Sequence, residues 1–388
     1  MEVVSITNSG HFYKIIPNFG MLIYSPYNSL TYAIHSDFIE ATIDFLNGSI
    51  DDKLPEEIKK PLLSGRGKND NSMLYSTNHL LPNSSYWLNY SQPDETITIN
   101  WFITGKCNFK CGYCYASDLM NDYIKEPIEE EIDNIAEQIL KLKPLSVVLT
   151  GGEPFVSPHI SKAIKLLSKR AGIIIDTNGS IINENLLNMI SEHNVVVRIS
   201  LDSPRPFQNF KHRIPFNKNE QTYNDILENI IKCLNLGIPV IIQTVVSSIN
   251  KNELEEFGEI LSRLGISGWR LLKVQESRLN TNVYKKLMLG RTKKIIDASK
   301  QLDYQLDKLI KIHKLRWSSK MSLQISKNSN NDKNSVILVS PNGEFWTESK
   351  IQNAKNLIDI ESSKCPFEDA IFKKVSNFSH FSRYLNIY

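Results

Sequence analysis

The sequence predicts an α/β protein built on a partial (β/α)6 barrel, with a small α+β N-terminal domain and a C-terminal helical and hairpin extension. Three observations predict it. Between Thr96 and Glu276, strand-like apolar runs alternate with amphipathic helical runs, which implies right-handed crossovers and a parallel sheet. The strand-like runs are nearly all apolar, as strands covered on both faces must be. At roughly 100–200 residues per domain, 388 residues make two or three domains, with ample chain for a core. Six βα units fall short of a closed barrel's eight, so the predicted sheet is curved and open, with its ligands beyond the carboxyl ends of the strands.

Each element has a local reason. TITINWFIT is a strand, and EPIEEEIDNIAEQILKLK is a helix with Pro127 suited to its first turn and Ile128, Ile132, Ile135 and Ile139 on one face. SVVLT is a strand, followed by the helix HISKAIKLLSKRA with Ile160, Ala163, Ile164 and Leu167 aligned. GIIIDT, VVVRISL, IPVIIQTVV and GWRLLKV read as the remaining strands. Between them lie the helices NENLLNMISEH, TYNDILENIIKCLNLG and NELEEFGEILSRLG, the last two stopped by Gly237 and Gly265.

Residues 1–95 form the first part. FGMLIYSP and SLTYAI read as two strands joined by a turn at Tyr27-Asn28, and DFIEATIDFLNG as a helix ended by Gly48. LPEEIKKPLLSG is a second short helix, and SGRGKNDNSM a polar linker. Residues 96–276 are the alternating core, and 277–388 the extension. The extension begins with a long Lys-rich helical pattern and contains a hairpin, NSVILVS and EFWTES, turning at Pro341-Asn342-Gly343.

Composition excludes several classes. The chain is 41% hydrophobic and 22% charged, which is globular usage. No apolar run approaches the ~18 residues that span a bilayer, and the N-terminus lacks a secretory pattern. A net charge of +3 is too balanced to indicate nucleic acid or a membrane surface as partner. The five cysteines are Cys107, Cys111, Cys114, Cys233 and Cys365. An odd count with three of them close together is a poor disulfide framework and points to a reducing cytoplasm and a metal.

Cys107, Cys111 and Cys114 are spaced C-x3-C-x2-C just after the first core strand. Three thiolates in one loop suit a soft metal or an iron–sulfur cluster. They cannot alone close a structural zinc site, which takes four ligands, so zinc would need a distant fourth. A [4Fe-4S] cluster on three cysteines leaves one iron open, as a catalytic site requires. Cys233, in an apolar helix, reads as a buried small hydrophobe, and packing is also the reading for Cys365. Two thiols do not complete a second cluster site.

The loop TGKCNFKCGYCYA resembles the cluster loop of the radical S-adenosylmethionine (radical SAM) superfamily, with Tyr113 directly before the third cysteine. Further matches follow in the family's order. Gly151-Gly152-Glu153-Pro154 ends the second core strand, Thr177-Asn178-Gly179 the third, and Ser200-Leu201-Asp202-Ser203 the fourth. The resemblance implies one [4Fe-4S] cluster on Cys107, Cys111 and Cys114, with S-adenosylmethionine (SAM) as the second cofactor. It implies SAM contacts by Tyr113, Gly151, Gly152, Glu153, Asn178, Ser200 and Asp202, the two glycines letting backbone approach the methionine amino group. It further implies reductive cleavage of SAM to a 5′-deoxyadenosyl radical that abstracts hydrogen, and a one-electron reductant such as flavodoxin or ferredoxin. No residue is singled out as acid, base or radical quencher.

For the substrate two resemblances compete. The N-terminal layout resembles the peptide-binding domain in front of radical SAM peptide maturases, implying a ribosomally made peptide taken up at a strand edge. ITINWFITGKCNFKCGYCYA, GWRLLKVQ and NSVILVSPNGEFW are similar to viperin-like nucleotide dehydratases, which implies a ribonucleoside triphosphate. Lys211, His212, Arg213, Arg270 and Lys273 are then candidates for its phosphates. A third reading is a degenerate, non-catalytic binding protein. The C-terminal FKKVSNFSHFSRYLNIY reads as a packed amphipathic segment.

Overall fold

An N-terminal antiparallel sheet, whose third and fourth strands are buried almost throughout, consists of β1 (Ser5–Ile6), β2 (Phe12–Ile16), β3 (Gly20–Tyr24) and β4 (Thr31–His35), in that order. Helices α1 (Ile39–Leu46) and α2 (Glu56–Leu63) follow. Met21, Ile23, Tyr32 and Ile34 face these helices and bury Leu46, Ile58 and Leu62. The computed structural model describes residues 4–17, 20–49, 54–63, 98–114, 116, 126–217, 221–274, 281–289, 295–317, 320–325 and 337–347. The polar linker, Cys365 and the C-terminal aromatic segment lie outside them. β3, β4 and both helices stand where the sequence places them. β1 and β2 add two strands that it does not predict.

The core alternates as expected. β5 (Thr98–Phe102) leads through the short β6 (Phe109–Cys111) to α3 (Glu129–Lys141) and β7 (Ser146–Thr150). Then come α4 (Ile160–Leu167), β8 (Gly172–Thr177), α5 (Glu184–Glu192) and β9 (Val196–Ser200). The next four elements are α6 (Pro206–Asn209), β10 (Arg213–Pro215), α7 (Gln221–Asn235) and β11 (Val240–Val246). The core ends with α8 (Leu254–Leu264) and β12 (Gly268–Lys273). Helices α9 (Thr281–Leu289) and α10 (Ile295–Ile312) precede β13 (Ser322–Ile325), β14 (Ile337–Val339) and β15 (Phe345–Thr347). Among the described residues no helix is long and apolar enough to cross a membrane.

The sheet is wider than the six predicted strands. Its order is β13-β12-β11-β9-β8-β7-β5-β14-β15. All neighbours run parallel except β14 and β15, the predicted hairpin. The C-terminal part therefore adds β13 at one side and β14 at the other, and β14 covers the edge of β5 that the six-strand count leaves open.

The two faces of the sheet are filled differently. Val147, Leu149, Ile173, Ile175, Val197, Ile199 and Ile242 pack under the helices. Val148, Ile174, Val196 and Ile241 point to the opposite, inner face, where Phe12, Leu22, Tyr24 and Ala33 of the N-terminal sheet meet them. Higher on that inner face the side chains turn polar. Arg198, 2% exposed, is held by both carboxylate oxygens of Asp176, one of them at 2.9 Å. Gln243 donates to Asp176 at 3.1 Å and accepts from Arg270 at 3.2 Å.

The contact between the two sheets is close. A methyl on Gly172 would lie 2.1 Å from the Tyr24 ring, and Tyr24 is fully buried. Gly172→Ala should therefore cost about 1–3 kcal/mol by overpacking. A double-mutant cycle with Tyr24→Leu, followed by denaturant unfolding, should recover most of that loss. Additive losses would show that the two sheets do not meet there.

Candidate functional site

The site stands at the carboxyl ends of β5, β7, β8 and β9. The chain leaves β5 and runs through Thr104–Cys114, and this loop is fastened at several points. Gly152 N–H donates to the Thr104 carbonyl at 2.9 Å, and Glu153 N–H to the Lys106 carbonyl at 2.8 Å. No side chain fits in either glycine's place. A Cβ on Gly151, whose φ is +136°, would lie 2.4 Å from the Thr104 oxygen, and one on Gly152 would lie 2.0 Å from the Lys106 oxygen. The close approach that requires these glycines is that of the cysteine loop itself. The sequence reading assigns it to a cofactor's amino group.

Glu153 is 1% exposed, and its carboxylate turns inward. It accepts from the Thr177 hydroxyl at 2.6 Å, the Asn178 N–H at 2.7 Å and the Phe155 N–H at 3.2 Å. Burial pushes its pKa up to about 7, and these three donors pull against that rise. Asn178 passes the connection on. Its side-chain amide donates to Asn108, between the first two cysteines, at 2.7 Å, and its own oxygen accepts from Ser180. Glu153 and Asn178 thus brace the cysteine loop through these hydrogen bonds. Ser200 ends β9, half-buried, with Gln243 beside it on β11.

Cys107, Cys111 and Cys114 carry reduced thiols, all half-buried. Cys107 accepts from the Phe109 N–H at 3.4 Å, and the Cys114 N–H donates to the Cys111 carbonyl at 3.2 Å. Burial is the main cause that pushes the Cys107 thiol up to about 11 and the Cys111 thiol up to about 12. Each of the two also feels Cys114 and the Arg213 guanidinium. Among the described residues no three ligand side chains converge as they do around a single ion.

β6 and β10 form a small antiparallel ribbon beside the thiols, with Arg213 opposite Cys111. Arg213 is buried and donates to the Tyr113 hydroxyl at 3.2 Å. That hydroxyl in turn donates to Asp202. The other Asp202 oxygen accepts from the Val245 N–H at 2.8 Å. Burial raises the Asp202 pKa and the nearby guanidinium pulls it back down. Asp202 and Tyr113 are therefore engaged with each other and with Arg213.

Arg213 belongs to the site as a neighbour of the cysteines. Its sequence signal was the basic run Lys211-His212-Arg213, read there as a phosphate candidate. The other basic candidates stand in separate settings. Lys211 is exposed, Lys273 pairs with Asp303 at 2.5 Å, and Arg270 joins the inner polar chain through Gln243. Cys233 is fully buried in α7, as a core residue.

Residues 101–261 match the Radical SAM superfamily, and this stretch, from β5 to α8, is a radical SAM domain. Such domains work with a [4Fe-4S] cluster and SAM, and solved neighbours hold bound S-adenosylmethionine. Among curated proteins the chain is similar to an S-adenosylmethionine-dependent nucleotide dehydratase of Psychrobacter lutiphocae. The identity is 26% over 199 residues, 47% of this chain and 65% of that protein. It is also similar to the GTP 3′,8-cyclase of Clostridium perfringens, 31% identical over 159 residues, 39% of this chain and 47% of the cyclase. The chain thus spans less than two thirds of these relatives. Among solved structures, Streptococcus suis SuiB bound to precursor peptide SuiA matches 97% of this chain and 91% of its own, at a TM-score of 0.59 and 14% identity. A histidine-tagged anSMEcpe with bound AdoMet covers 75% of this chain and 82% of its own, at 0.53 and 15%. At these identities the likeness is one of fold.

Gly152→Ala should push the Lys106 carbonyl away and displace the cysteine loop. Iron and sulfide per chain after reconstitution should fall several-fold while the far-ultraviolet circular dichroism is unchanged. Cys233→Ala should leave iron content intact and cost only about 1 kcal/mol of stability. Loss of iron in that variant would contradict its placement in the core.

Proposed function

We propose that this protein is a radical SAM enzyme that modifies a ribosomally made peptide in a reducing, cytoplasmic compartment. The cluster, when bound, supplies the electron that cleaves SAM and generates the hydrogen-abstracting 5′-deoxyadenosyl radical. Cys107, Cys111 and Cys114 would hold the cluster. Gly151 and Gly152 keep the loop against the strand ends, and Glu153 and Asn178 brace it. The buried Arg213 guanidinium is the cation that the SAM carboxylate would meet, and Ser200 offers a hydroxyl on the same rim. Tyr113 and Asp202 hold Arg213 in place. The inner polar chain Arg198–Asp176–Gln243–Arg270 would face the substrate. The division at 1–95, 96–276 and 277–388 is part of this proposal.

The observation that carries the peptide reading is the N-terminal sheet seated in the inner face of the barrel, in a chain whose likeness to a peptide-bound radical SAM structure spans 97% of its length. A second reading, dehydration or cyclisation of a ribonucleoside triphosphate, is supported by the names of the curated relatives. The scattered settings of the basic residues weigh against it.

The reconstituted protein should carry close to one cluster per chain and form 5′-deoxyadenosine under dithionite. The triple Cys→Ala variant should form none. Peptides encoded beside the gene should stimulate this turnover and change in mass. CTP, GTP and UTP should do neither, and a nucleotide product that has lost water would decide for the second reading.

A further inference from the structure

A two-stranded ribbon carries one of the cysteine thiols. β6 carries Cys111, and its register with β10 pairs Cys111 with Arg213, Lys110 with Ile214, and Phe109 with Pro215. The ribbon continues one residue further, where the Phe216 N–H donates to the Asn108 carbonyl at 3.0 Å. Side chains alternate across it. Arg213 and Pro215 are buried, while Lys110, Ile214 and Phe216 face outward. Ile214 is 39% and Phe216 64% exposed, on the ribbon that carries Cys111.

The surroundings are cationic. Lys110 and Lys211 are exposed, and Lys286 on α9 is exposed beside them. His212 lies between Lys211 and Lys286: burial lowers its pKa first, and the two lysine charges lower it further. Among the described residues these three lysines make no ion pair. Two exposed apolar side chains flanked by three uncompensated cations suit a partner with an apolar centre and an acidic rim. Complexes that pass single electrons are small, transient and steered by charge.

We propose that the β6–β10 ribbon is the docking face for an acidic one-electron carrier protein. Lys110, Lys211 and Lys286 steer it, and Ile214 and Phe216 seat it. The inference rests on the proposed radical SAM function. The carrier would be oxidised by one electron, a cluster held by Cys107, Cys111 and Cys114 would be reduced by that electron, and no atom is transferred.

The test uses the reconstituted full chain, with flavodoxin hydroquinone as the carrier and sodium dithionite as a small reductant that needs no docking face. In the double variant Lys110→Glu/Lys286→Glu, flavodoxin-driven 5′-deoxyadenosine formation should fall at least ~10-fold and lose most of its salt dependence. The dithionite-driven rate should not change. Phe216→Ser should lower the flavodoxin-driven rate at any ionic strength. Flavodoxin-driven rates that stay at wild type in both variants overturn the proposal. So do dithionite-driven rates that fall in parallel, which would make the ribbon a structural or substrate surface. Wild-type protein that makes no 5′-deoxyadenosine even with dithionite would sink the reading of the domain, and the docking face with it.

Discussion

A buried carboxylate holds the site together. Glu153 leaves β7 and reaches across to the end of β8, where it accepts from Thr177 and the Asn178 backbone. Asn178 then grips Asn108 in the cysteine loop. Two strand ends and the loop are thereby fixed to one another by donors aimed at a single buried group. Such a group is strongly destabilising if its partners are removed, because the desolvated carboxylate then stands alone. The glycines before it complete the arrangement, since only a backbone without side chains lets the loop lie on the strand end.

The same sheet serves two neighbours. Its outer face takes the helices, and its inner face is apolar at the base, where the N-terminal sheet enters, and polar above. Period-two alternation along each strand divides the work. In β8, Ile173 and Ile175 face the helices, Ile174 faces the N-terminal sheet, and Asp176 belongs to the polar layer. A strand that is apolar on both faces for most of its length thus ends in one charged residue just below the site. Arg198 on β9 and Gln243 on β11, the next two strands, join the same polar layer.

Local signals carried most of this into the sequence. β7 and β8 fall on their predicted residues, because short apolar runs between amphipathic helices leave little choice of element. The cysteine spacing and the strand-end motifs identified the loop that the site is built around. What escaped was set by distant parts of the chain. β6 and β10 are three residues each, too short to show periodicity, and exist because they pair with each other across the loop. The hairpin of β14 and β15 was legible as a hairpin, but nothing in its residues says that it lies beside β5. The motif residues Gly152, Glu153 and Asn178 were found, but their hydrogen bonds to the loop depend on register between strands, which one sequence does not display.

The placement of β14 has a consequence for how the protein comes to exist. β5 is the first strand of the large sheet to leave the ribosome, yet one of its two edges is covered only when Ile337–Val339 arrives. At ~5–20 residues per second, that edge waits on the order of tens of seconds with its backbone groups unpaired. During synthesis the barrel can be assembled from β5 through β12 while one side remains open to any other extended chain.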